Sequence, residues 1–305
     1  MQTTRSIISA AAGLFLLAGL ANRAPAQGAG VPVYSQSAAE ENTLRAAAER
    51  LRVSGKQVGD AVLASQLNRK SCELNLPPAH TTRLSGRELW AAARAAHLRV
   101  GWYFLCTRCN HRHLELAAGY ALTEDGAVAT CYHVVAPPET LREGFLVVAD
   151  ECGNIMPVTE ILAANKSLDV CILRVAAGKL KPLPLQADVF PGDRCVCFSD
   201  PLGERGYFSD GIVSRFLTPR TERKGTNAPL ITRLDVTTDW APGSSGAAVL
   251  DDCGNAIGHV TSIATLSDGA SGKGKGGGKD PTLITIHEAV SAKDVLALIR
   301  QPAKR

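Results

Sequence analysis

Two spacings of apolar residues divide the chain. Up to about residue 97 they fall on a helical period. Leu44, Ala47, Ala48 and Leu51 share one face, Gly55 interrupts, and 61–67 resumes the pattern. Ser37 with Glu40, and Ser85 with Glu88, have the serine-to-glutamate spacing of a capping box, which satisfies free backbone N–H groups at a helix start. The second predicts a helix to about residue 97, and Pro77-Pro78 marks a loop before it. Large apolar residues are too few here for an independent core, so 27–98 reads as a helical extension packed on the remainder of the chain.

Beyond it the texture turns to β. Short runs rich in Val, Ile, Leu and aromatics, broken by Gly, Asp and Asn, occur at 100–105, 116–122, 127–130, 145–148, 170–175, 194–198, 211–216, 230–236, 247–250, 256–263 and 282–286. Many short strands at close spacing predict an all-β barrel or sandwich. Asp150-Glu151-Cys152-Gly153-Asn154 and Asp251-Asp252-Cys253-Gly254-Asn255 are similar turns about one hundred residues apart. Each lies between two strands, a hairpin signal that hints at two related halves. Ser291 caps a last segment in which Val295, Leu296, Leu298 and Ile299 predict an amphipathic terminal helix. Residues 269–279, rich in glycine and lysine, read as a solvated low-complexity loop.

Composition narrows the class. A chain of 305 residues, 45% hydrophobic and 20% charged, is neither disordered nor a many-span membrane protein. Residues 1–26 read as a secretory signal: Arg5, an apolar run over 7–21, then Ala24-Pro25-Ala26 as a small-x-small cleavage pattern. The run is short against the ~20 residues of a membrane span, and no later run is long enough. Loss of this leader removes Arg5 and Arg23 and lowers the net charge from +4 to +2. No nucleic acid, anionic membrane or stable membrane insertion is therefore expected. Export makes disulfides the default for the nine cysteines, with at least one left over from an odd count.

The candidate chemistry lies in three separated places. Ser245 sits in Gly243-Ser244-Ser245-Gly246, at the entry to the apolar run Ala247-Ala248-Val249-Leu250. Such a turn holds a hydroxyl away from the backbone, and its successive N–H groups can converge into an oxyanion hole. A serine needs a base; His133 comes after the run 127–130 and precedes two valines. The base needs an orienting carboxylate, and Asp169 opens the run 170–175. A core histidine and a solvated strand end remain the plain alternatives.

In this order His133, Asp169 and Ser245 resemble the triad of trypsin-like serine proteases, and the flanking motifs resemble the HtrA/Deg branch. GYALTEDGAVATCYHVV is similar to its histidine hairpin and KSLDVCILRV to its aspartate strand. GDRCVCFSDPLGERGYFSDGIVSR is similar to the opening of its second barrel, and GSSGAAVLDDCGNAIGHV to its serine turn. The resemblance covers about 99–300 and implies two six-stranded β-barrels, 99–185 and 186–290, with a helix and tail at 291–305. It implies a serine endopeptidase acting on protein or peptide substrates, with Ser245 as nucleophile, His133 as general base and Asp169 as its orienter. The amides of Gly243 and Ser245 would form the oxyanion hole, with no metal or cofactor required. Ser244 departs from the Asn or Asp usual before the serine, and Ala247 from the second glycine usual after it. These changes motivate the alternative of a non-catalytic relative that binds exposed peptide strands. The branch's PDZ domains are not expected, because the terminal helix ends the resemblance.

For substrate binding, Thr261, Ser262 and Ile263 resemble the edge strand that pairs with a peptide backbone. Trp240 and Pro242 would wall the first specificity pocket. Asp239 is read as part of a Thr-Asp strand rather than as the pocket floor, which favours a small or medium apolar residue there. A separate motif, Cys106-Thr107-Arg108-Cys109-Asn110-His111-Arg112-His113, holds two cysteines and two histidines that together could ligate zinc. Export favours a local disulfide, or a bridge to Cys72, over that metal site. Cys131, Cys171, Cys195 and Cys197 lie among apolar residues and read as core.

Overall fold

The computed structural model describes residues 33–34, 38–176, 178–218, 231–266 and 282–301. The leader 1–26, the Ser37 cap and the loop 269–279 lie outside them.

Three helices precede the sheets: α1 (Ala38–Ser54), α2 (Asp60–Gln66) and α3 (Gly86–Ala96). The Ser85–Glu88 capping box is present in both directions at the start of α3. Leu89, Ala93 and Ala96 form its buried stripe, and α3 packs on the second barrel.

The first barrel closes in the order β2-β3-β4-β7-β6-β5. Its strands are β2 (His97–Cys106), β3 (Arg112–Ala121), β4 (Ala127–Thr130), β5 (Leu141–Ala149), β6 (Ile155–Asn165) and β7 (Val170–Val175). The second closes in the order β10-β13-β12-β11-β8-β9. It contains β8 (Arg194–Ser199), β9 (Tyr207–Leu217), β10 (Arg233–Val236), β11 (Ala248–Asp251), β12 (Ala256–Leu266) and β13 (Ile284–Ser291). Numbered from its own first strand, each barrel repeats one order, 1-2-3-6-5-4, with every pairing antiparallel. Closure removes the exposed sheet edges that an open sheet would leave. The expected all-β, two-barrel architecture is therefore present.

Two expectations need correction. The sequence shows no clear run over β6, yet this strand closes the first barrel. Its register shifts between Val158 and Glu160 and again between Ile161 and Ala163. Bulges of this kind break the two-residue alternation by which a strand is read. The terminal helix is also shorter than its apolar spacing suggests. α5 covers only Ala292–Leu296, and Ile299–Arg300 (β14) pairs in parallel with Cys72–Glu73 (β1). That pairing ties the chain's last strand to the N-terminal extension.

All nine cysteines are free thiols. Cys131, Cys171, Cys195 and Cys197 are buried, as their apolar neighbours predict.

Candidate active site

His133 lies on α4 (Tyr132–Val135), a single helical turn just past β4. Asp169 ends the turn between β6 and β7. Asn165 Oδ1 holds that turn by accepting from the amides of Ser167 and Leu168 (3.0 and 3.1 Å), and Asp169 takes a left-handed φ of 58°. This conformation is uncommon for a side-chain-bearing residue, though Asp tolerates it better than most.

The two side chains meet. His133 Nδ1 lies 2.9 Å and 3.1 Å from the Asp169 carboxylate oxygens, and the His133 amide donates to the same group at 3.1 Å. An ionised carboxylate only accepts, so Nδ1 carries a proton, and in the neutral imidazole the lone pair is then on Nε2. Thr261 Oγ1 donates to Asp169 Oδ2 at 2.6 Å. Burial pushes the Asp169 pKa up, but the bond to His133, the imidazole's charge, the Thr261 hydroxyl and the His133 amide outweigh it and hold the group at about 2. The His133 side chain is half exposed while Asp169 is mostly covered. Beneath them, His259 Nε2 donates to the Asp169 carbonyl at 3.3 Å, and burial pushes this histidine down to about 4, so it is neutral. The sequence signalled Thr261 only as an edge-strand residue and did not signal His259 at all. Both contacts cross from one barrel to the other.

The serine turn is placed by its backbone. Ser245 accepts at its carbonyl from the Ala118 amide (2.9 Å), and Gly246 donates to the Val260 carbonyl (2.8 Å). A Cβ on Gly246 would lie 2.2 Å from the Ala118 carbonyl oxygen and 2.5 Å from Thr130 Oγ1. The turn is thus seated against the end of β4, three residues before His133. Ser245 is half-buried. Among the described residues its hydroxyl makes no hydrogen bond to His133, and the amides of Gly243 and Ser245 donate to no backbone group. The residues that depart from the family pattern have plain places. Ser244 is buried and donates to Ser199 Oγ of β8 at 3.0 Å, and Ala247 is wholly buried in the second core. Cys131 also lies beside His133 and Asp169, but it is fully buried, its thiol donates to the Val260 carbonyl, and burial pushes its pKa well up. It stays a thiol and is no competitor as nucleophile.

β11 pairs with β12 only as far as His259, whereas β13 accompanies β12 out to Leu266. Thr261, Ser262 and Ile263 therefore carry one edge with no strand partner among the described residues. Trp240 is buried, donates from its indole N–H to the Ser262 carbonyl (3.2 Å) and meets His287 edge-on at 5.0 Å. Pro242 and Asp239 are exposed. Gly243 also lines a cavity of ≈ 570 Å³, together with Leu116, Ala117, Leu202, Arg205 and Glu40 among others.

The zinc motif is brought together in part. Cys106, Cys109 and His113 form one cluster. His111 is outside it: it precedes β3 and is exposed, and its carbonyl is used by the Cys106 amide (2.9 Å).

Two Greek-key barrels of one topology, with a His–Asp pair from the first and a glycine-flanked serine turn from the second, define the trypsin-like class of serine proteases. Residues 117–258 match the family model described as a trypsin-like peptidase domain, and the relatives the chain is similar to are Do-like and DegP-like serine proteases. It is 27% identical over 161 residues to chloroplastic Protease Do-like 1 of Arabidopsis thaliana, covering 52% of this chain and 35% of that protein. To a probable periplasmic serine endoprotease, DegP-like, of Halomonas elongata it is 29% identical over 160 residues, covering 52% and 31%. To serine protease PepD of Mycobacterium tuberculosis it is 26% identical over 164 residues, covering 51% and 35%. The match spans about a third of the length of these curated relatives.

Proposed function

We propose that this protein is an exported serine endopeptidase. Ser245 Oγ attacks the peptide carbonyl while His133 Nε2 takes its proton. The amides of Gly243 and Ser245 receive the developing oxyanion, a donor of this kind being worth about 3–4 kcal/mol. His133 then passes the proton to the leaving amine, and an acyl-enzyme remains on Ser245 until water, activated by the same nitrogen, releases the acid. Asp169 holds the Nδ1–H tautomer and stabilises the imidazolium that forms at each step. The observation that carries this reading is the two-pronged Asp169–His133 contact beside a serine turn with two unused amides.

Substrate chains add to the free edge at Thr261, Ser262 and Ile263 by backbone pairing, so recognition is tolerant of side chains. Trp240, buried and bonded to the Ser262 carbonyl, would wall the first specificity pocket, which favours a small or medium apolar residue before the cut bond. Export is supported by the leader at 1–26 and by the periplasmic name of the Halomonas relative. Among the described residues no helix is long and apolar enough to cross a membrane.

A fluorophosphonate probe tests the assignment. It should label Ser245 in folded protein, and Ser245→Ala should abolish both labelling and casein hydrolysis. Folded protein that takes up no probe at Ser245 and leaves unfolded casein intact, while still binding it, overturns the hydrolytic reading in favour of a peptide-binding relative.

A further inference from the structure

The tip of the β2–β3 hairpin is not used by the proposed chemistry, yet it gathers metal-ligating groups. Cys106 ends β2, Cys109 lies in the turn, and His113 is the second residue of β3. One ligand atom from each lies within 4.8 Å of the others, with Cys109 Sγ and His113 Nε2 at 3.0 Å. Zinc bonded to sulfur at ~2.3 Å and to nitrogen at ~2.0–2.1 Å in a tetrahedron needs ligand atoms roughly 3.5–4 Å apart. The Cys109–His113 contact is closer than that spacing, so an ion entering the cluster would part these two atoms by roughly half an ångström.

The backbone around it is shaped for a thiolate. The Arg108 amide donates to Cys106 Sγ at 3.3 Å. The Asn110 amide returns to the Cys106 carbonyl (3.1 Å), and Asn110 takes a left-handed φ of 58°, which turns the chain back into β3. Nitrogen donors aimed at sulfur favour an anionic ligand over a neutral disulfide sulfur. The Phe104 ring lies 5.6 Å from that of His113, and the turn is anchored to the first barrel through Thr107 N to Thr140 O (2.8 Å).

We propose that Cys106, Cys109 and His113 bind one zinc ion, with water in the fourth position, and that the ion locks the β2–β3 turn to the first barrel. Two thiolates and a neutral imidazole balance the charge of a divalent cation. His111 is not a ligand. The site is independent of hydrolysis by Ser245.

Metal content and cobalt spectroscopy on the full-length protein, purified without chelator, test it. One zinc per chain is expected, and cobalt exchange should produce sulfur-to-cobalt charge-transfer bands together with tetrahedral visible bands. Cys109→Ser and His113→Ala should each weaken zinc binding by more than the roughly 10–100-fold typical of losing a supporting partner, while His111→Ala leaves it within about twofold. Hydrolysis by Ser245 need not change in any of these variants. Folded protein with reduced thiols that does not retain zinc against a weak chelator overturns the site. So does peptide mapping that finds Cys106 bridged to Cys109 in protein isolated without added oxidant. A loss in His111→Ala as large as that in Cys109→Ser overturns the three-ligand assignment.

Discussion

The two barrels share a strand order but bring different things to the cleft. The first contributes side chains already bonded to each other, His133 and Asp169. The second contributes a backbone shape, the turn around Ser245, held by main-chain bonds to Ala118 and Val260. Acid–base work depends on which groups touch, and oxyanion binding on where amides point. The same contrast appears in the paired turns between the fourth and fifth strands. Asp150 Oδ1 accepts from the amides of Cys152 and Asn154 at 2.9 and 2.8 Å, and Asp251 Oδ1 from those of Cys253 and Asn255 at 2.9 and 2.8 Å. Locally the turns are copies. Asn154 is exposed, whereas Asn255 is wholly buried and exchanges two hydrogen bonds with the His80 backbone, 2.7 and 3.0 Å. The asparagine of the repeated turn has thus been recruited in the second barrel to hold the extension's backbone, whereas the first barrel's turn meets the extension through Glu151, which bonds Tyr34 and pairs with Arg94.

The largest effect should come from loss of the first barrel's charge. Asp169→Asn should lower kcat by about 10⁴-fold, because the amide no longer enforces the Nδ1–H tautomer; active-site titration with turnover kinetics measures it. Gly246→Ala strikes the second barrel's backbone instead. Its φ of 91° and the carbonyl 2.2 Å from the new Cβ leave no room without moving β3. A stability loss of about 3 kcal/mol or more is expected in urea unfolding. If this variant keeps both stability and activity, the serine turn is not a rigid element.

The paired turns give a smaller, differential result. Asn255→Ala leaves His80 N–H and C=O without partners and should cost about 2–3 kcal/mol, against about 1 kcal/mol or less for Asn154→Ala. Equal losses would show that burial against the extension adds nothing. A pH series resolves a contribution of similar size. Asp169 is held at about 2, below its ordinary carboxylate range, so its stabilisation is complete above about pH 4 and is lost as the pH falls through 2. The stability gap between the wild type and Asp169→Asn should therefore shrink by up to about 2.5 kcal/mol over that window. A gap that stayed constant would contradict the bonding between Asp169 and His133.

Much of this molecule was readable along the chain, because its signals are local. Alternating apolar runs marked all but one of the barrel strands, the Ser85–Glu88 box marked the start of α3, and both hairpin turns declared themselves by Asp, Gly and Asn. β6 escaped because two register shifts scramble its alternation, and α5 stopped short because Ile299 and Arg300 gain a strand partner far back in sequence. His133, Asp169 and Ser245 could be nominated from motif order, but not brought together. The pairing of His133 with Asp169, the Thr261 hydroxyl on Asp169, the neutral His259 below it and the indole of Trp240 on Ser262 are all contacts between distant segments. Local pattern specifies which backbone shape each segment adopts. Which side chains then share a partner depends on how the two closed barrels and the helical extension pack, and that information resides in no single stretch of the sequence.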